Sequence, residues 1–316
     1  MNNEIIEQNI QIICREFNLV NDRKIKELYN NLWFPLALNL QEKFKEKSKP
    51  LLVGILGIQG TGKTTLSKIL KFLLKQLNIS SETISLDDFY KTYEERKQLQ
   101  KFDPRLIWRG PPLTHDVSLA MGVLTSLLES RPVAIPRFDK SLHNGKGDRT
   151  LSSYNGNMAL PNTTLLNNQI SHNIDVIFFE GWFVGVQPID ENEFNNPPHP
   201  IISPADKKFA RDCNQRLKEY LPLWKLIDYQ IILNPLDYRY SLPWRQEAEA
   251  KMKAQGKTGM SNQEIQEFVE YFWKALHPEL FIPKLIDNLS LTDSLVITID
   301  KEHFCQDYMI RNTKQL

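Results

Sequence analysis

Short apolar runs recur along the chain, and residues with helical periodicity separate them. The runs that predict buried strands lie at residues 51–56, 82–88, 174–181, 228–233 and 295–300. Strands that alternate with helices are typical of parallel sheets, because each crossover connection uses a helix to return the chain to the same edge. The pattern therefore predicts an α/β fold with a mostly parallel five-stranded sheet and helices on both faces.

Apolar stripes at helical spacing fill the segments between these runs. One stripe consists of Leu66, Ile69, Leu70, Leu73, Leu74 and Leu77. Residues 4–47 also predict helices, with a kink at Pro35. We interpret residues 1–49 as an N-terminal helical segment that contributes packing and no chemistry, and residues 50–316 as the main domain.

The composition excludes several classes of protein. The 316 residues carry 39 Lys plus Arg against 38 Asp plus Glu, a net charge of +1, so neither nucleic acid nor a membrane surface is an expected partner. Cys14, Cys213 and Cys305 lack the spacing of a metal site or a redox pair. No secretory or organelle signal is visible, and the longest apolar run is far too short for a membrane span. We expect a soluble cytoplasmic protein with reduced thiols.

Residues 57–65, Gly-Ile-Gln-Gly-Thr-Gly-Lys-Thr-Thr, match the phosphate-binding loop pattern directly between a predicted strand and a predicted helix. Glycines permit a tight turn in which backbone N–H groups converge on phosphate oxygens. Lys63 is expected to reach the β- and γ-phosphates, and the Thr64 hydroxyl to bind Mg²⁺, so ATP and Mg²⁺ are the expected cofactors. The residues expected to contact ATP are Gly57, Gln59, Gly60, Thr61, Gly62, Lys63, Thr64 and Thr65.

Acidic residues lie at the ends of two predicted strands. In open parallel sheets, ligands bind beyond the carboxyl ends of the strands, which places Asp87 and Asp88 well for chemistry. Adjacent strand residues point to opposite faces, so we expect only one of the two to face the substrate.

Asp175 and Glu180 lie at opposite ends of the third predicted strand, about 16 Å apart at roughly 3.3 Å per residue. Glu180, at the carboxyl end, is the candidate for holding Mg²⁺ through water, whereas Asp175 is expected to be structural.

A basic, glycine-rich segment follows a short strand predicted at residues 133–140. Its cations are Arg137, Lys140, Lys146 and Arg149. Such a segment suits the capture of a small anion, but charge clusters are usually just solvated, and the pattern leaves both interpretations open. Upstream, Asp116 follows a loop that contains Arg109 and His115; alone it would most often be a helix cap.

Residues 238–257 predict a second basic segment, which is helical. Its cations are Arg245, Lys251, Lys253 and Lys257. The plain interpretation is an exposed helix, and the alternative is a lid that brings an arginine over the transferring phosphoryl group. Ser261 and Glu264 have the spacing of a capping box, so the next helix is expected to begin there.

Together these segments resemble the D-glycerate 3-kinase family of the plant and cyanobacterial type, which is related to phosphoribulokinase, uridine kinase and pantothenate kinase. The segments that carry the resemblance, between residue 57 and about residue 280, are Gln59-Gly60-Thr61-Gly62-Lys63-Thr64-Thr65, Leu86-Asp87-Asp88-Phe89-Tyr90, Arg109-Gly110, His115-Asp116, Pro136-Arg137-Phe138-Asp139-Lys140-Ser141, Gly145-Lys146-Gly147-Asp148-Arg149, Glu180-Gly181-Trp182, Trp244-Arg245-Gln246-Glu247-Ala248-Glu249 and Gly259-Met260-Ser261. The Arg-Phe-Asp-Lys-Ser, Gly-Asp-Arg and Glu-Gly-Trp segments together are much more specific than the phosphate loop.

The resemblance implies a P-loop kinase fold and transfer of a phosphoryl group from ATP to D-glycerate, which yields 3-phosphoglycerate. It makes Lys63, Asp87 and Arg245 the catalytic candidates, with Asp87 as the base and Arg245 in the lid. The residues expected to contact the substrate are Asp87, Arg109, His115, Asp116, Arg137, Asp139, Lys140, Lys146 and Arg149. One departure from the family is Pro111-Pro112-Leu113, in a loop where smaller residues are expected, and it bears on the shape of the pocket.

Two other functions share these features. A related kinase that acts on uridine, ribulose 5-phosphate or pantothenate would use the same catalytic residues. A nucleotide-dependent switch or binding protein would use the phosphate loop without transferring a phosphoryl group to a metabolite. The chain has no Asn-Lys-x-Asp segment for reading guanine, and the acidic strand ends favour an acceptor site.

Overall fold

The computed structural model describes residues 3–16, 19–150, 163–164, 174–254, 256, 259–288 and 293–311. Within these residues the strands are β1 (Leu51–Gly57), β2 (Ser81–Ser85), β3 (Ile135–Pro136), β4 (Phe138–Asp139), β5 (Asp148–Arg149), β6 (Thr163–Thr164), β7 (Val176–Gly181), β8 (Tyr229–Pro235), β9 (Asp293–Ile299) and β10 (Cys305–Arg311). The helices are α1 (Asn3–Glu16), α2 (Asp22–Leu28), α3 (Phe34–Lys47), α4 (Lys63–Gln76), α5 (Tyr93–Phe102), α6 (Val117–Leu128), α7 (Pro204–Arg216), α8 (Leu221–Trp224), α9 (Ser241–Ala254), α10 (Asn262–Ala275) and α11 (Pro278–Asp287).

The central sheet has the strand order β10-β9-β8-β1-β7-β2. Strands β1, β2, β7, β8 and β9 are parallel to their neighbours in this sheet, which confirms the predicted α/β fold with five parallel strands. The sequence analysis missed the sixth strand, β10, which pairs antiparallel with β9 at the sheet edge. Its central residues are exposed, so it lacks the apolar run that marks a buried strand.

Each face of the sheet is covered by its own hydrophobic core, and the alternation of side chains along β1 separates the two. Val53 and Ile55 pack against α4 and the N-terminal helices α1–α3. Leu52 and Leu56 point the other way, into a core built with α6, α7, α10 and α11. The N-terminal helices therefore complete one face of the sheet. Among the described helices, none is both long enough and apolar enough to cross a membrane.

Three local predictions change in detail. The second strand ends at Ser85 and passes into a 3₁₀ turn, Leu86–Phe89. The strand predicted at 133–140 is wrong as a single element, because it divides into β3 and β4, which pair with β6 and β5 in separate small sheets. A π-helical turn, Tyr29–Trp33, joins α2 to α3 without a break and lies directly before Pro35; π-turns and prolines are the usual causes of kinks in helices.

Candidate active site

The phosphate-binding loop connects β1 to α4, and its backbone requires the glycines that the sequence supplies. Gly60 and Gly62 have φ angles of +82° and +90°, which residues with a Cβ atom rarely adopt. A Cβ atom on Gly60 would lie 2.5 Å from the Cβ atom of Trp244. The side chain of Trp244, on α9, therefore packs directly against the loop, and a larger residue at position 60 would displace it.

Lys63 is the first residue of α4, and its ammonium group folds over the loop. Its Nζ atom donates to the backbone oxygens of Gly57 (2.6 Å) and Ile58 (3.1 Å). Burial lowers the pKa of Lys63, while the charges of Glu180 and Asp87 oppose this shift. Lys63 therefore lies at the N-terminus of α4, where the helix dipole favours an anion. The carboxylates of Glu180 and Asp87 are close enough to act on its charge.

Glu180 lies next to the loop because β7 runs beside β1, with Glu180 opposite Ile55 in the parallel register. The Thr64 hydroxyl donates to Glu180 Oε1 at 3.1 Å, and Glu180 Oε2 is buried without a hydrogen-bond partner. Burial raises the pKa of Glu180, against the opposing charge of Lys63 and the hydrogen bond from Thr64. At the other end of β7, Asp175 accepts the backbone N–H of Ser80 (2.8 Å), consistent with the structural role predicted for it.

The Thr64 hydroxyl and the Glu180 carboxylate together fit the binding of Mg²⁺. The unpartnered Glu180 Oε2 is an acceptor with unused capacity, and Mg²⁺ is usually bound by one or two protein oxygens together with substrate phosphates and water. No group of three or more His, Cys, Asp or Glu side chains that could hold a metal occurs in the part of the chain that the structure describes. Glu180 and Thr64 would therefore hold the ion jointly with the phosphates of a nucleotide.

The paired aspartates have different surroundings, as predicted, but for a different physical reason. They lie in the 3₁₀ turn, where successive side chains point about 120° apart, and not on a strand with alternating faces. Asp88 accepts the backbone N–H of Ser85 (3.0 Å) in a capping box and pairs with Arg137 Nη1 (2.9 Å). Burial raises the pKa of Asp88, and Arg137 offsets part of that rise. Asp88 therefore shapes the turn.

Asp87 faces the phosphate loop. Its Oδ2 atom lies 2.6 Å from Lys140 Nζ, and it also bonds to the side chain of Tyr90. Burial by itself raises the pKa of Asp87, but the charge and hydrogen bond of Lys140, helped by His115 and the Tyr90 hydroxyl, outweigh it and hold the pKa well below the usual range. Asp87 is thus ionised and lies on the same side of the sheet edge as Lys63 and Glu180.

The predicted basic cluster divides into cations with structural partners and cations on an exposed loop. Arg137 is tied to Asp88 and to Glu82 (3.3 Å). Arg149 is buried, donating to Asp116 Oδ2 (3.1 Å) and to the backbone oxygen of Tyr90 (2.7 Å). The other two cations of the cluster are Lys140, on Asp87, and Lys146, near the ring of Tyr93. Arg109, a separate substrate candidate, donates to the backbone oxygens of residues 145 and 146.

Three further substrate candidates have partners within the protein. Asp116 caps α6 by accepting the N–H of Leu119 (3.0 Å), the plain role expected for it. Asp139 accepts the N–H and the hydroxyl of Ser141, at 2.8 and 2.6 Å. His115 is only 2% exposed; its Nδ1 atom lies 2.9 Å from the Tyr220 hydroxyl, and its Nε2 atom is buried without a partner. Burial lowers the pKa of His115 to about 3, so its ring is neutral at physiological pH.

The described part of the basic segment 238–257 is a 3₁₀ turn followed by α9, and Lys257 lies outside the described residues. Arg245 Nη2 donates to Glu249 Oε2 at 2.6 Å, and its guanidinium lies over the ring of Phe268. Glu249, only 3% exposed, also accepts the backbone N–H of Met260 (2.7 Å) through Oε1. Glu249 therefore ties α9 to the segment that leads into α10, which begins with the predicted capping box of Ser261.

Sequence reasoning missed this role of Glu249, although its i,i+4 spacing from Arg245 on a predicted helix was a usable signal.

Sequence reasoning also missed a cavity of about 790 Å³ beside the phosphate loop. The cavity is lined by the loop, by α9, by the turn between β9 and β10, and by residues of the N-terminal segment such as Leu19 and Trp33. His303, from that turn, stacks on Trp244 with ring centroids 4.4 Å apart. The N-terminal segment therefore lines the cavity, a role that its sequence did not indicate.

Replacing Glu249 tests the tie between α9 and the start of α10. We expect Glu249→Ala to lower the free energy of unfolding by about 1–3 kcal/mol, because it leaves the Met260 N–H and a charged guanidinium without their acceptor. Urea unfolding measures the loss. Glu247→Ala, an exposed acid on the same helix, is the matched control and should change stability by less than about 0.5 kcal/mol. Equal losses in the two variants would contradict a specific role for Glu249.

Comparison with known proteins places this site in a family. No protein-family model matches the chain. The chloroplastic D-glycerate 3-kinase of Arabidopsis thaliana is 33% identical over 293 residues, which cover 85% of this chain and 59% of that protein. The uncharacterized kinase mug58 of Schizosaccharomyces pombe is 33% identical over 74% of this chain and 82% of its own length. A solved D-glycerate 3-kinase from Cryptococcus neoformans var. grubii has a TM-score of 0.74 at 26% identity, over 88% of this chain and 97% of that one.

These matches confirm the resemblance seen in the motifs. They extend well beyond the phosphate loop, over at least 74% of the chain. The chain belongs to the D-glycerate 3-kinase family of P-loop kinases.

Proposed function

We propose that the protein transfers the γ-phosphoryl group of ATP to the 3-hydroxyl of D-glycerate and so forms 3-phosphoglycerate and ADP. The observation that carries this proposal is the placement of Asp87, an ionised carboxylate with a cation 2.6 Å away, at the sheet edge beside the phosphate loop. A small hydroxy acid needs a base that removes the proton of its hydroxyl group and a cation that binds its carboxylate. The two relatives named D-glycerate 3-kinase support the choice of acceptor.

The nucleotide would bind through the phosphate loop and the cavity beside it. Backbone N–H groups of residues 57–65 and the ammonium of Lys63 would hold the phosphates, once Lys63 leaves the backbone oxygens that it now contacts. The cavity has apolar walls from Leu19, Trp33 and Ile299, which suit a base and ribose. Thr64 and Glu180 would hold Mg²⁺, whose chemistry when bound is to neutralise charge on the phosphate oxygens.

In the transfer step, the acceptor hydroxyl oxygen forms a bond to the γ-phosphorus of ATP. The bond between that phosphorus and the bridging oxygen of ADP breaks, and its electron pair leaves with ADP. The hydroxyl proton passes to Asp87, which acts as general base. Lys63 and Arg245 would stabilise the negative charge that spreads over the transferring group. Arg245 would act from the lid, where Glu249 fixes its starting position.

The acceptor would bind against the exposed basic loop. Lys140, Lys146 and Arg109 are the cations that would hold its carboxylate, because Arg137 and Arg149 already pair with acids of the fold. Arg137, Arg149 and Asp116 would instead keep the turn at residues 86–89 and the start of α6 in place. His115 would offer its unpartnered Nε2 atom to a polar group of the acceptor, and Asp139 would shape the loop through Ser141.

A panel of acceptors tests the proposal. ADP release is measured with ATP, Mg²⁺ and, separately, D-glycerate, uridine, ribulose 5-phosphate and pantothenate, and the phosphate position in the product is determined by ³¹P NMR. D-glycerate should be preferred by a wide margin and phosphorylated at the 3-hydroxyl. A clear preference for another acceptor would contradict the proposal, as would a product that is only 2-phosphoglycerate. ATP hydrolysis that no acceptor accelerates would favour the nucleotide-dependent switch.

A further inference from the structure

The contact between Lys140 and Asp87 covers the proposed base with a side chain from an exposed loop. The Lys140 side chain is 61% exposed and Asp87 is 25% exposed, although their charged atoms lie only 2.6 Å apart. Lys140 directly follows β4 and begins the turn that leads to β5. The lysine therefore reaches inward to Asp87 while most of its stem remains in solvent.

In this arrangement Asp87 is a poor proton acceptor. Lys140 neutralises its charge and occupies one carboxylate oxygen, and the side chain of Tyr90 also bonds to the carboxylate. A general base must be free to contact the proton that it removes, and its strength falls as its pKa falls. The ion pair therefore suppresses proton transfer for as long as it persists.

Little besides Asp87 fixes Lys140 in place. The ammonium is carried by a long, flexible side chain on an exposed loop, so an entering carboxylate can replace Asp87 as its partner without disturbing the fold. Arg137, in contrast, is tied to two acids, and Arg149 is buried with two acceptors. Lys140 is thus the cation beside Asp87 that an entering anion would draw away most easily.

We propose that Lys140 is a gate that the carboxylate of the acceptor opens, so that Asp87 becomes available as a base only when a small hydroxy acid is bound. This inference rests on the proposed function. An anionic acceptor takes over Lys140 as its counter-ion, and the same movement frees Asp87 next to the acceptor hydroxyl. A neutral polyol or a water molecule offers Lys140 no new partner, so the base stays covered and ATP is protected from hydrolysis.

The test compares three rates in the wild-type protein and in Lys140→Met, which keeps the length of the side chain and removes its charge. The rates are phosphorylation of D-glycerate, phosphorylation of glycerol, which lacks the carboxylate, and ATP hydrolysis without an acceptor. In Lys140→Met the kcat/KM for D-glycerate should fall, while the rates with glycerol and with water rise. The ratio of kcat/KM for D-glycerate to that for glycerol should fall about tenfold or more, because D-glycerate alone loses a hydrogen bond between its carboxylate and a charged group.

Two further variants separate the gate from simpler roles. Lys140→Arg keeps a cation and should restore low hydrolysis and much of the preference for D-glycerate. Lys97→Met removes an exposed lysine of the neighbouring helix α5 and should leave all three rates unchanged.

Each remaining outcome is decisive. If D-glycerate turnover falls while the glycerol and water rates stay constant, Lys140 only binds the carboxylate, and the gate is refuted. If all three rates fall together, its role is structural, and the gate is again refuted. A wild-type protein that does not phosphorylate D-glycerate refutes the proposed function itself, a result that the wild-type arm gives independently of the variants.

Discussion

Lys63→Ala should lower kcat by about 10²–10³-fold or more, the cost typical of removing one fixed group that stabilises transition-state charge. The ammonium already lies inside the loop, on the oxygens of Gly57 and Ile58, and α4 presents its positive end at the same place. In the proposed mechanism its charge acts on the phosphates during transfer as well as during binding, so the loss should appear in kcat and not in the KM for ATP alone.

The folded state should survive this substitution. Burial lowers the pKa of Lys63, so the fold holds this charged group at a cost and its removal is not expected to unfold the protein. Circular dichroism and thermal unfolding should therefore match the wild type, and Lys75→Ala, an exposed lysine near the other end of α4, should have normal turnover. Near-normal turnover in well-folded Lys63→Ala protein would refute the assignment of the phosphate loop.

The geometry of the phosphate loop could be predicted from the sequence because its signals are local. Strand β1, the glycines at 60 and 62, and the apolar stripe of α4 lie within one continuous stretch of about 25 residues. Each signal has a direct physical cause, namely burial, a positive φ angle or helical periodicity. The position of Glu180 beside the loop could be predicted for a similar reason, since the carboxyl ends of neighbouring parallel strands meet at one edge of the sheet.

The acceptor side was harder to predict because contacts between distant residues decide it. Arg137 pairs with Asp88 across 49 positions and Arg149 pairs with Asp116 across 33, and no local pattern indicates which cations a fold uses for its own structure. The cluster that suggested four equivalent cations is therefore two structural arginines and one lysine on Asp87, with Lys146 apart from them. The cavity wall from the N-terminal helices is likewise a product of tertiary packing.

The different surroundings of the two aspartates depend on a turn that the apolar pattern does not show. Ser85 and Asp88 form a capping box that ends β2 and begins the 3₁₀ turn. Competition between side-chain and backbone hydrogen bonds is the reason that Ser and Asp favour such turns. A Ser-x-x-Asp spacing at the end of a predicted strand was therefore the signal that would have given the turn in place of strand alternation.

Exchanging each aspartate for asparagine separates the base from its neighbour. We expect Asp87→Asn to lower kcat by about 10²–10⁴-fold, the usual contribution of a general base, with little change in the KM for ATP. A loose transition state for phosphoryl transfer would place the value at the low end of that range. Stability at neutral pH should fall modestly as well, because a carboxylate whose pKa is lowered on folding stabilises the folded state.

Asp88→Asn should show the opposite pattern. Its carboxylate accepts the Ser85 N–H and pairs with Arg137, and the neutral amide leaves that guanidinium without a counter-charge. The free energy of unfolding should therefore fall by about 1–3 kcal/mol, while kcat falls less than in Asp87→Asn. Urea unfolding and steady-state kinetics on both variants measure the two effects together.

A larger loss of kcat in well-folded Asp88→Asn would show that Asp88, and not Asp87, is the general base. If neither variant lost turnover, the hydroxyl would need no protein base, and the positioning of the acceptor by the basic loop would carry the chemistry.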